Sequence, residues 1–318
     1  MRYAIISDIH GNLHALQAVL KDIRESNIDK YIFVGDYFGD LPYPNEVTDI
    51  IKVLNKKYIV SGNKEGYLTN LQENNKDEWI HNQFKVLYWN YKELRKDNLD
   101  YLLQLPEKKI VCQDNTKKIL ILHSITSLFK ETKLDLLTSS KYAERMDKFN
   151  FEHEDYLKYV KNIILTDKKL MKKLESIDAD IIVFGHTHIQ WYININGKIL
   201  INAGSCGLPL DLKTTAPYTI LDISSNRIII EEHRVKYDIQ NLIEEFKKSM
   251  LYEYAKGWSN IVIEELRNGR DEITFFFRYV IEVAKNHGSH SWPIENEIWN
   301  KAINSWFERN NSKDKYLL

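Results

Sequence analysis

Seven side chains that can bind metal ions follow the ends of predicted strands in this sequence. We refer to them as the donor set: Asp8, His10, Asp36, Asn63, His123, His186 and His188. The carboxyl ends of parallel strands meet at one edge of a sheet, where α/β proteins bind ligands, so we expect the donor set to converge. Each residue alone also has an ordinary explanation as a helix cap, a turn residue or a core histidine. The prediction therefore depends on their coincidence at five strand ends.

The chemistry of the donor set favours a pair of metal ions. Carboxylate, amide and imidazole donors suit two divalent cations about 3.5 to 4 Å apart, with one carboxylate bridging two imidazole-rich half-sites. A water molecule between such ions loses a proton near neutral pH and becomes a nucleophile. The ions also bind phosphoryl oxygens and neutralise the charge that develops during in-line displacement. The predicted reaction is hydrolysis of a phosphoester or phosphoanhydride.

The elements that must position the donor set alternate at first between strands and helices. The first 65 residues predict three strands and two helices, as in βαβ units with parallel strands. Later strands are predicted at 108–113, 118–123, 180–185, 189–205 (a hairpin), 218–223 and 227–235. Turns are predicted at 114–116, at Asn196-Gly197 and at 224–226. Two blocks of strands separated by helices indicate two sheets with helices outside.

Two segments interrupt this pattern next to donor residues. We expect a helical insertion at about 66–106 and an irregular excursion at about 124–150, and both should form walls of a substrate pocket. Helical periodicity is predicted at 153–175. The aromatic residues Tyr37 and Tyr67 follow donor positions and could stack on a base or simply cover the site.

From about residue 238 the sequence predicts helices only, so we expect a sandwich domain at 1–237 and a helical extension at 238–318. One helix should bury a face that includes Phe276 and Ile281, and Pro293 should open the last helix. The residues Trp292, Trp299 and Trp306 recur every seven positions. This spacing predicts a hydrophobic seam that packs on the domain or on a second copy of the chain, which would make a homo-oligomer.

Composition limits the partners that the protein could bind. The 318 residues include 44 basic and 45 acidic side chains, a net charge of −1, so no overall field favours nucleic acid or an anionic membrane. The longest apolar runs are far shorter than the roughly 18 residues of a membrane span. Cys112 and Cys206 lie far apart, and the first residues lack a secretory pattern. We therefore expect a cytoplasmic protein with a small-molecule substrate.

Six short motifs resemble, in order, those of the calcineurin-like metallophosphoesterase superfamily over about residues 1–235. They are SDIHGN (7–12), VGDYFGD (34–40), SGNKE (61–65), LHS (122–124), FGHTH (184–188) and NAGSCGLP (202–209). The resemblance implies a four-layer α/β/β/α sandwich in which two divalent metal ions support hydrolysis. It suggests manganese as the occupant, with iron, zinc or nickel as alternatives.

The resemblance also implies a role for each member of the donor set. The first metal would be bound by Asp8, His10 and His188, and the second by Asn63, His123 and His186. Asp36 would bridge the two ions. Of these residues, Asp36, Asn63 and His186 would take part most directly in catalysis, through hydroxide held by the metals.

The sequence departs from the family pattern at Lys64, since many relatives have histidine directly after the Gly-Asn pair. Lysine there could place a cation near the transition state, but its long stem favours carrying the charge into solvent. Losing a general acid costs about 10²- to 10⁴-fold on a poor leaving group and little on a stable one. This favours phosphodiesters or phosphoanhydrides of nucleotide type. Glu65 fits a small bacterial branch similar to phosphodiesterases and diadenosine-polyphosphate hydrolases, so a dinucleotide polyphosphate is one candidate.

Two other functions compete with this interpretation. A phosphomonoesterase, including one like Ser/Thr protein phosphatases, would use the same metal chemistry. A binding module on the same fold would have lost catalysis, as in a retromer subunit that resembles this family. Such modules tend to lose ligands, whereas all seven donors are present here, so the sequence favours an enzyme.

Overall fold

The computed structural model describes residues 1–73, 79, 81–113, 117–129, 138–149, 151–224 and 227–313. Ten strands lie within these residues: β1 Arg2–Ile6, β2 Lys30–Phe33, β3 Lys57–Ile59, β4 Lys108–Gln113, β5 Lys117–Leu122, β6 Ile181–Phe184, β7 Gln190–Ile195, β8 Lys198–Ala203, β9 Ala216–Ile223 and β10 Ile228–Val235. Each corresponds to a strand predicted from the sequence. The predicted turn at 114–116 and most of the one at 224–226 fall outside the described residues.

The strands form two mixed sheets of five. One has the order β10-β9-β1-β2-β3, and the other has the order β4-β5-β6-β8-β7. The pairs β1–β2 and β2–β3 are parallel, as are β5–β6 and β6–β8, while β9, β10, β4 and β7 pair antiparallel. The strands that precede the donor set are therefore parallel neighbours, and their carboxyl ends lie at a common edge of each sheet.

Described helices cover the outer faces and the C-terminal region. They are α1 Leu13–Ile23, α2 Pro44–Val53, α3 Asn63–Glu73, α4 Lys85–Glu93, α5 Lys96–Leu103, α6 Ser139–Phe149, α7 His153–Thr166, α8 Lys168–Ser176, α9 Ile239–Lys248, α10 Met250–Tyr254, α11 Lys256–Asn268, α12 Glu272–Asn286 and α13 Asn296–Lys313. None of these described helices has the length and apolar character that crossing a membrane requires.

Alternating side chains on the strands create the layers. Ile5 and Ile121 belong to the core between the two sheets, whereas their neighbours Ile6 and Leu122 point to the outer faces. Helices α1 and α2 cover one outer face, and α6, α7 and α8 cover the other. The predicted four-layer α/β/β/α sandwich with a helical C-terminal region is confirmed.

The structure corrects or refines several local predictions. The excursion at 124–150 is not irregular throughout, because α6 occupies Ser139–Phe149, although 130–137 and 150 lie outside the described residues. The helical periodicity at 153–175 is confirmed, and it belongs to two helices, since Asp167 ends α7 and its side chain caps α8 by accepting two backbone N–H groups. Ile281 is 42% exposed and is not part of the buried face of α12.

The C-terminal helices pack on the loops that carry the donor set. Leu242 of α9 and Val262 of α11 share a hydrophobic core with Leu41 and Leu208. Leu41 lies five residues after Asp36, and Leu208 follows the glycine-rich turn after β8. The helical region therefore holds two loops at the edge of the sandwich instead of extending away from them.

Two of the three regularly spaced tryptophans form the expected seam within the chain. Trp299 is stacked on Trp258, with ring planes 9° apart, and Trp306 meets Phe276 edge-on. Trp292 is 65% exposed and precedes α13, which begins at Asn296 and not at Pro293. The heptad pattern fails at Trp292 because that residue is not helical. A homo-oligomer through these helices stays a prediction.

Candidate metal centre

The structure brings all seven members of the donor set together, from both sheets. Asp8, Asp36 and Asn63 follow β1, β2 and β3, while His123 follows β5 directly. His10, His186 and His188 complete the group from the loops after β1 and β6. The sheets lie face to face, so loops at their adjoining edges project into the same space.

One half of the group contains two imidazoles and a carboxylate. His10 Nε2 lies 3.1 Å from His188 Nε2. Asp8 Oδ1 lies 3.3 Å from His188 Nε2 and 3.9 Å from His10 Nε2. Two donors bound at about 2.1 Å to one ion are roughly 3.0 Å apart at a bond angle of about 90° and roughly 3.9 Å apart at about 135°, so these three atoms can share a cation.

The other half contains two imidazoles and an amide. Asn63 Oδ1 lies 2.9 Å from His123 Nε2 and 3.0 Å from His186 Nδ1, and the two ring nitrogens are 3.2 Å apart. Asp36 Oδ2 lies 3.5 Å from His123 Nε2 and 3.8 Å from His10 Nε2. The Asp36 carboxylate is therefore within reach of both halves.

Hydrogen bonds fix the orientation of three of the histidine rings. His123 Nδ1 donates to the carbonyl of Val34 at 2.8 Å, and His188 Nδ1 donates to that of Leu208 at 2.6 Å. Because a carbonyl oxygen only accepts, the Nδ1 atoms carry the protons and each neutral ring presents Nε2 as a lone pair to the centre. His10 Nδ1 lies 2.8 Å from Asp40 Oδ2, which gives that ring the same orientation.

The backbone of the donor set is unusual. Five of the seven residues have positive φ angles: Asp8 (50°), His10 (53°), Asp36 (54°), His186 (70°) and His188 (59°). A left-handed conformation is uncommon for residues other than glycine and costs free energy. Such residues cluster where a surrounding structure enforces a functional geometry. The donor set thus has a second property, independent of side-chain type, that is typical of a functional site.

Glu65 holds two donor loops together. Its carboxylate accepts backbone N–H groups of Gly62 at 2.7 Å and of Asp36 and Tyr37 at 3.0 Å each. In return, Asp36 Oδ1 accepts the N–H of Lys64 at 2.8 Å, near the N-terminus of α3. The acidic residue two positions after Asn63 therefore has a structural role, which is to fix the loop after β2 against the start of α3.

Comparison with known proteins agrees with this geometry. A family model described as calcineurin-like phosphoesterase matches residues 1–190. The chain belongs to the calcineurin-like phosphoesterase family. Combined with the clustered donors, this membership supports a metal-dependent phosphoesterase.

Individual proteins are similar to this chain over more than residues 1–190. An uncharacterised protein of Methanocaldococcus jannaschii is 30% identical over 270 residues, which are 79% of this chain and 94% of that protein. Among solved structures, a metallophosphoesterase of Sphaerobacter thermophilus has a TM-score of 0.58 at 22% identity, over 85% of this chain and 100% of the other. A hypothetical protein of Pyrococcus horikoshii has the same TM-score at 18% identity, over 84% and 98%. These two structures share the fold.

In this phosphoesterase, Lys64 does not carry its charge into solvent, and that prediction is wrong. The side chain is 13% exposed, and its Nζ lies 2.9 Å from Asp40 Oδ2. The stem passes over Gly39, where a Cβ atom would come within 3.1 Å of the lysine Cδ and Cε. Asp40 also accepts the indole N–H of Trp258 at 3.0 Å. A buried carboxylate thus joins a candidate metal ligand, Lys64 and the C-terminal helix α11.

The charges in this network alter several pKa values. Burial opposes ionisation of Asp40, but Lys64 and His10 outweigh it and hold the pKa of the carboxyl well below its usual range. Burial also opposes charge on His10, yet Asp40 and Asp8 raise the pKa of its imidazole to about 9. By contrast, burial and the neighbouring His123 lower the pKa of His186 to about 4. Neutral His186 is therefore ready to bind a cation, while binding at His10 would release a proton.

Replacing Asp40 with asparagine should weaken metal binding. Three donor groups converge on the Asp40 carboxylate, from His10, Lys64 and Trp258, and an amide would set its own N–H₂ against at least one of them. Loss of a partner that orients a ligand typically costs 10- to 100-fold, so we expect about that decrease in metal affinity. Titration calorimetry with Mn²⁺ measures it. Trp258→Phe is the control, because it removes one donor and keeps the carboxylate. Unchanged affinity in Asp40→Asn would contradict the role of Asp40.

A cavity of about 390 Å³ opens next to the donor set. The expected walls contribute to it, since Tyr67 of α3 and Ser139 of α6 line it, whereas Tyr37 is fully buried and cannot contact a ligand. Among the described residues, Leu208 and Leu210 also line it, and a further wall comes from the C-terminal region: Trp258, Glu265, Asp271, Ile273 and Thr274. Sequence reasoning missed this wall, because no pattern in α11 or α12 relates those residues to the strand ends.

Proposed function

We propose that this phosphoesterase hydrolyses a phosphodiester or phosphoanhydride of nucleotide type at a dinuclear centre. The observation that carries the proposal is the position of Asp36 Oδ2, 3.5 Å from His123 Nε2 and 3.8 Å from His10 Nε2. A carboxylate oxygen with imidazole groups on both sides can serve two neighbouring cations as a common ligand. The two half-sites would comprise Asp8, His10 and His188, and Asn63, His123 and His186.

The donor types favour binding of an anionic substrate. Two divalent ions, for which we propose Mn²⁺ before Fe, Zn²⁺ or Ni²⁺, would activate water and neutralise phosphoryl oxygens. Asp8 and Asp36 supply two negative charges, whereas Asn63 is a neutral amide and the histidines are neutral when they bind metal. The loaded centre would keep a net positive charge and attract a phosphoryl group.

The ion pair of Lys64 supports the proposal that the substrate has a stable leaving group. Its ammonium group is held by Asp40, so it is available as a fixed positive charge beside the centre. The residue that many relatives use at this position can give a proton, and an ammonium committed to an ion pair is a poor replacement. A nucleotide phosphate or an aryloxide leaves without that help.

The size and lining of the cavity support the proposal that the substrate is a small molecule with an aromatic part. Its volume of about 390 Å³ lies within the range of small-molecule sites. Tyr67 is 37% exposed and lies on the wall with Trp258, so an aromatic ring could stack against either. The helical extension that we propose at 238–318 would close one side of the site in the domain at 1–237. A phosphorylated protein loop would have less room there than a nucleotide.

Lys64→His should change substrate preference more than it changes diester turnover. We expect the ratio of monoester to diester kcat/KM to rise about 10-fold or more, since histidine can protonate a poor leaving group. The measurement is a Mn²⁺ assay of both proteins on bis-p-nitrophenyl phosphate, an alkyl phosphomonoester, a dinucleotide polyphosphate and a phosphopeptide. Lys96→His, on the exposed surface of α5, is the matched control.

The same panel separates the competing functions. Equal loss on every substrate in Lys64→His would mean that the lysine is itself catalytic. Phosphopeptide or monoester turnover by the wild type at a rate comparable to the diester would favour a phosphomonoesterase or protein phosphatase. A purified protein that retains no transition metal after supplementation and cleaves none of the substrates would be a binding module, and the proposal would be wrong.

A further inference from the structure

Helix α11 brings a buried carboxyl group into the cavity beside the candidate metal centre. Glu265 is 2% exposed and lines the cavity together with members of the donor set. Its Oε1 accepts the backbone N–H of Ile273 at 2.9 Å, which links α11 to α12. Among the described residues, no hydrogen bond reaches its other oxygen. One oxygen therefore fixes the side chain, and the second is available to a ligand.

The position of Glu265 is set by the contact between α11 and the loop after β2. Trp258 lies two helical turns before Glu265, so both side chains project from the same face of α11. The indole of Trp258 donates to Asp40, which in turn contacts His10. This face of the helix is consequently fixed relative to the donor set.

Two other charged groups that line the cavity already have partners. Asp271 accepts the N–H of Thr274 with one oxygen and the hydroxyl of Ser139 with the other. Lys64 is paired with Asp40. Of the carboxyl groups on the described part of the wall, Glu265 is the one with an oxygen left for a substrate.

The surroundings of Glu265 favour its neutral form. Burial raises the pKa of the carboxyl well above its ordinary value, and the charge of Asp271 raises it further. Asp40 and Glu272 act in the same direction, and the single hydrogen bond from Ile273 opposes them only in part. A neutral carboxyl can donate a proton, whereas a carboxylate at this place would repel an anionic phosphoryl group.

We propose that Glu265 is the general acid of this site and protonates the leaving oxygen of the substrate. As water bonds to phosphorus, the P–O bond to the leaving group breaks, and the leaving oxygen keeps the electron pair and takes the Glu265 proton. The product is an alcohol, the attacking water gives its surplus proton to solvent, and solvent returns a proton to Glu265. The inference rests on the proposed phosphoesterase function and deepens it.

With this role, the acid that is missing at position 64 is supplied from α11, and the substrate class extends from stable leaving groups to poor ones. A nucleotide phosphate or aryloxide leaves unprotonated, but the sugar oxygen of a nucleotide diester is a poor leaving group and needs a proton. With Glu265 as the acid, the site serves diesters between a phosphate and a sugar hydroxyl, without a histidine at position 64. The C-terminal helices would then supply a catalytic group in addition to a wall.

The test compares two substrates that share a nucleotide and differ in the leaving group. Thymidylyl-thymidine loses a sugar oxygen, and thymidine 5′-p-nitrophenyl phosphate loses an aryloxide. In Glu265→Gln we expect kcat/KM to fall about 10²- to 10⁴-fold on the first and less than about threefold on the second. Glutamine keeps the volume and can still accept the N–H of Ile273. Glu264→Gln, a half-exposed neighbour on the same helix, is the matched control.

Distinct outcomes would overturn the inference and the proposed function. If the wild type cleaves both substrates and Glu265→Gln loses activity equally on both, Glu265 is not the acid. The same conclusion follows if Glu265→Gln keeps full activity on both. If the wild type cleaves the aryl diester and not thymidylyl-thymidine, the inference fails while the proposed function stands. If it cleaves neither diester and none of the substrates of the Mn²⁺ panel, the proposed function fails and the inference fails with it. Infrared difference spectroscopy of wild type against Glu265→Gln gives an independent check at neutral pH. A protonated-carboxyl band that disappears in the variant supports the proposal, and its absence from the wild type contradicts it.

Discussion

Asp36→Asn is expected to abolish phosphoester hydrolysis and to leave the protein unable to hold two metal ions. Asp36 Oδ1 accepts the N–H of Lys64, and an asparagine carbonyl can still do so. The amide nitrogen would then occupy the place of Oδ2, between His10 and His123, where it presents hydrogen atoms instead of a lone pair. We expect metal affinity to fall more than about 100-fold, beyond the 10- to 100-fold cost of losing an outer partner.

Metal analysis and thermal unfolding measure this effect apart from activity. The wild type should gain melting temperature when Mn²⁺ is added, because a ligand that binds only the folded state stabilises it. Asp36→Asn should lose most of that gain and should melt near the wild-type temperature in chelator. His186→Ala should also abolish activity. Asp178→Asn, at an exposed carboxylate, is the control. Full metal content and activity in Asp36→Asn would contradict a bridging role.

The sandwich could be predicted from the sequence because its signals are local. The alternation along β1, β2 and β3, with amphipathic helices between them, gives parallel units whose carboxyl ends must adjoin. The boundaries of the helices were harder to predict from the sequence. Asp167 is one residue within a long amphipathic stretch, yet its side chain ends one helix and begins the next. Helix α6 was missed because its sequence is polar overall and contains few apolar residues.

Membership of the donor set was predictable, but its fine geometry was not. Side-chain type and position at strand ends identified residues such as Asp8 and His186. Their positive φ angles occur where loops contact one another, and the N–H of His186, for example, donates to Asp8. These contacts join residues that are far apart in the chain. They require the complete fold, which no local pattern encodes.

The C-terminal wall is the largest part of the site that the sequence did not indicate. Trp258 and Asp40 are 218 positions apart, and no sequence motif contains both residues. The position of α11 follows from packing of Val262 with Leu41 and Leu208. Other apolar residues of suitable size could pack there equally well, so the sequence does not indicate which apolar residues contact each other. The burial of Lys64 could not be predicted from the sequence for the same reason, because it depends on the Asp40 carboxylate that this wall encloses.

Gly185→Ala is expected to disrupt the centre from outside the donor set. A Cβ atom at this position would lie 2.1 Å from Ser7 Oγ and 2.2 Å from Asp8 Oδ2, too close for either to stay. Both are buried, and the Ser7 hydroxyl donates to Asp8. We expect the free energy of unfolding to fall by about 1–3 kcal/mol, as for other overpacked cores. Displacement of the Asp8 carboxylate should also lower Mn²⁺ affinity, measured by titration calorimetry.

Gly66→Ala is the matched control for this prediction. Gly66 lies within α3 close to Asn63, and nothing lies within 4 Å of the Cβ that alanine would add. Alanine should stabilise the helix by about 0.5–1 kcal/mol and leave metal binding unchanged. The double variant Ser7→Ala/Gly185→Ala removes one of the two clashing atoms, so it should recover part of the lost stability but not the metal affinity. Normal affinity in Gly185→Ala would mean that Asp8 does not need its observed position to bind metal.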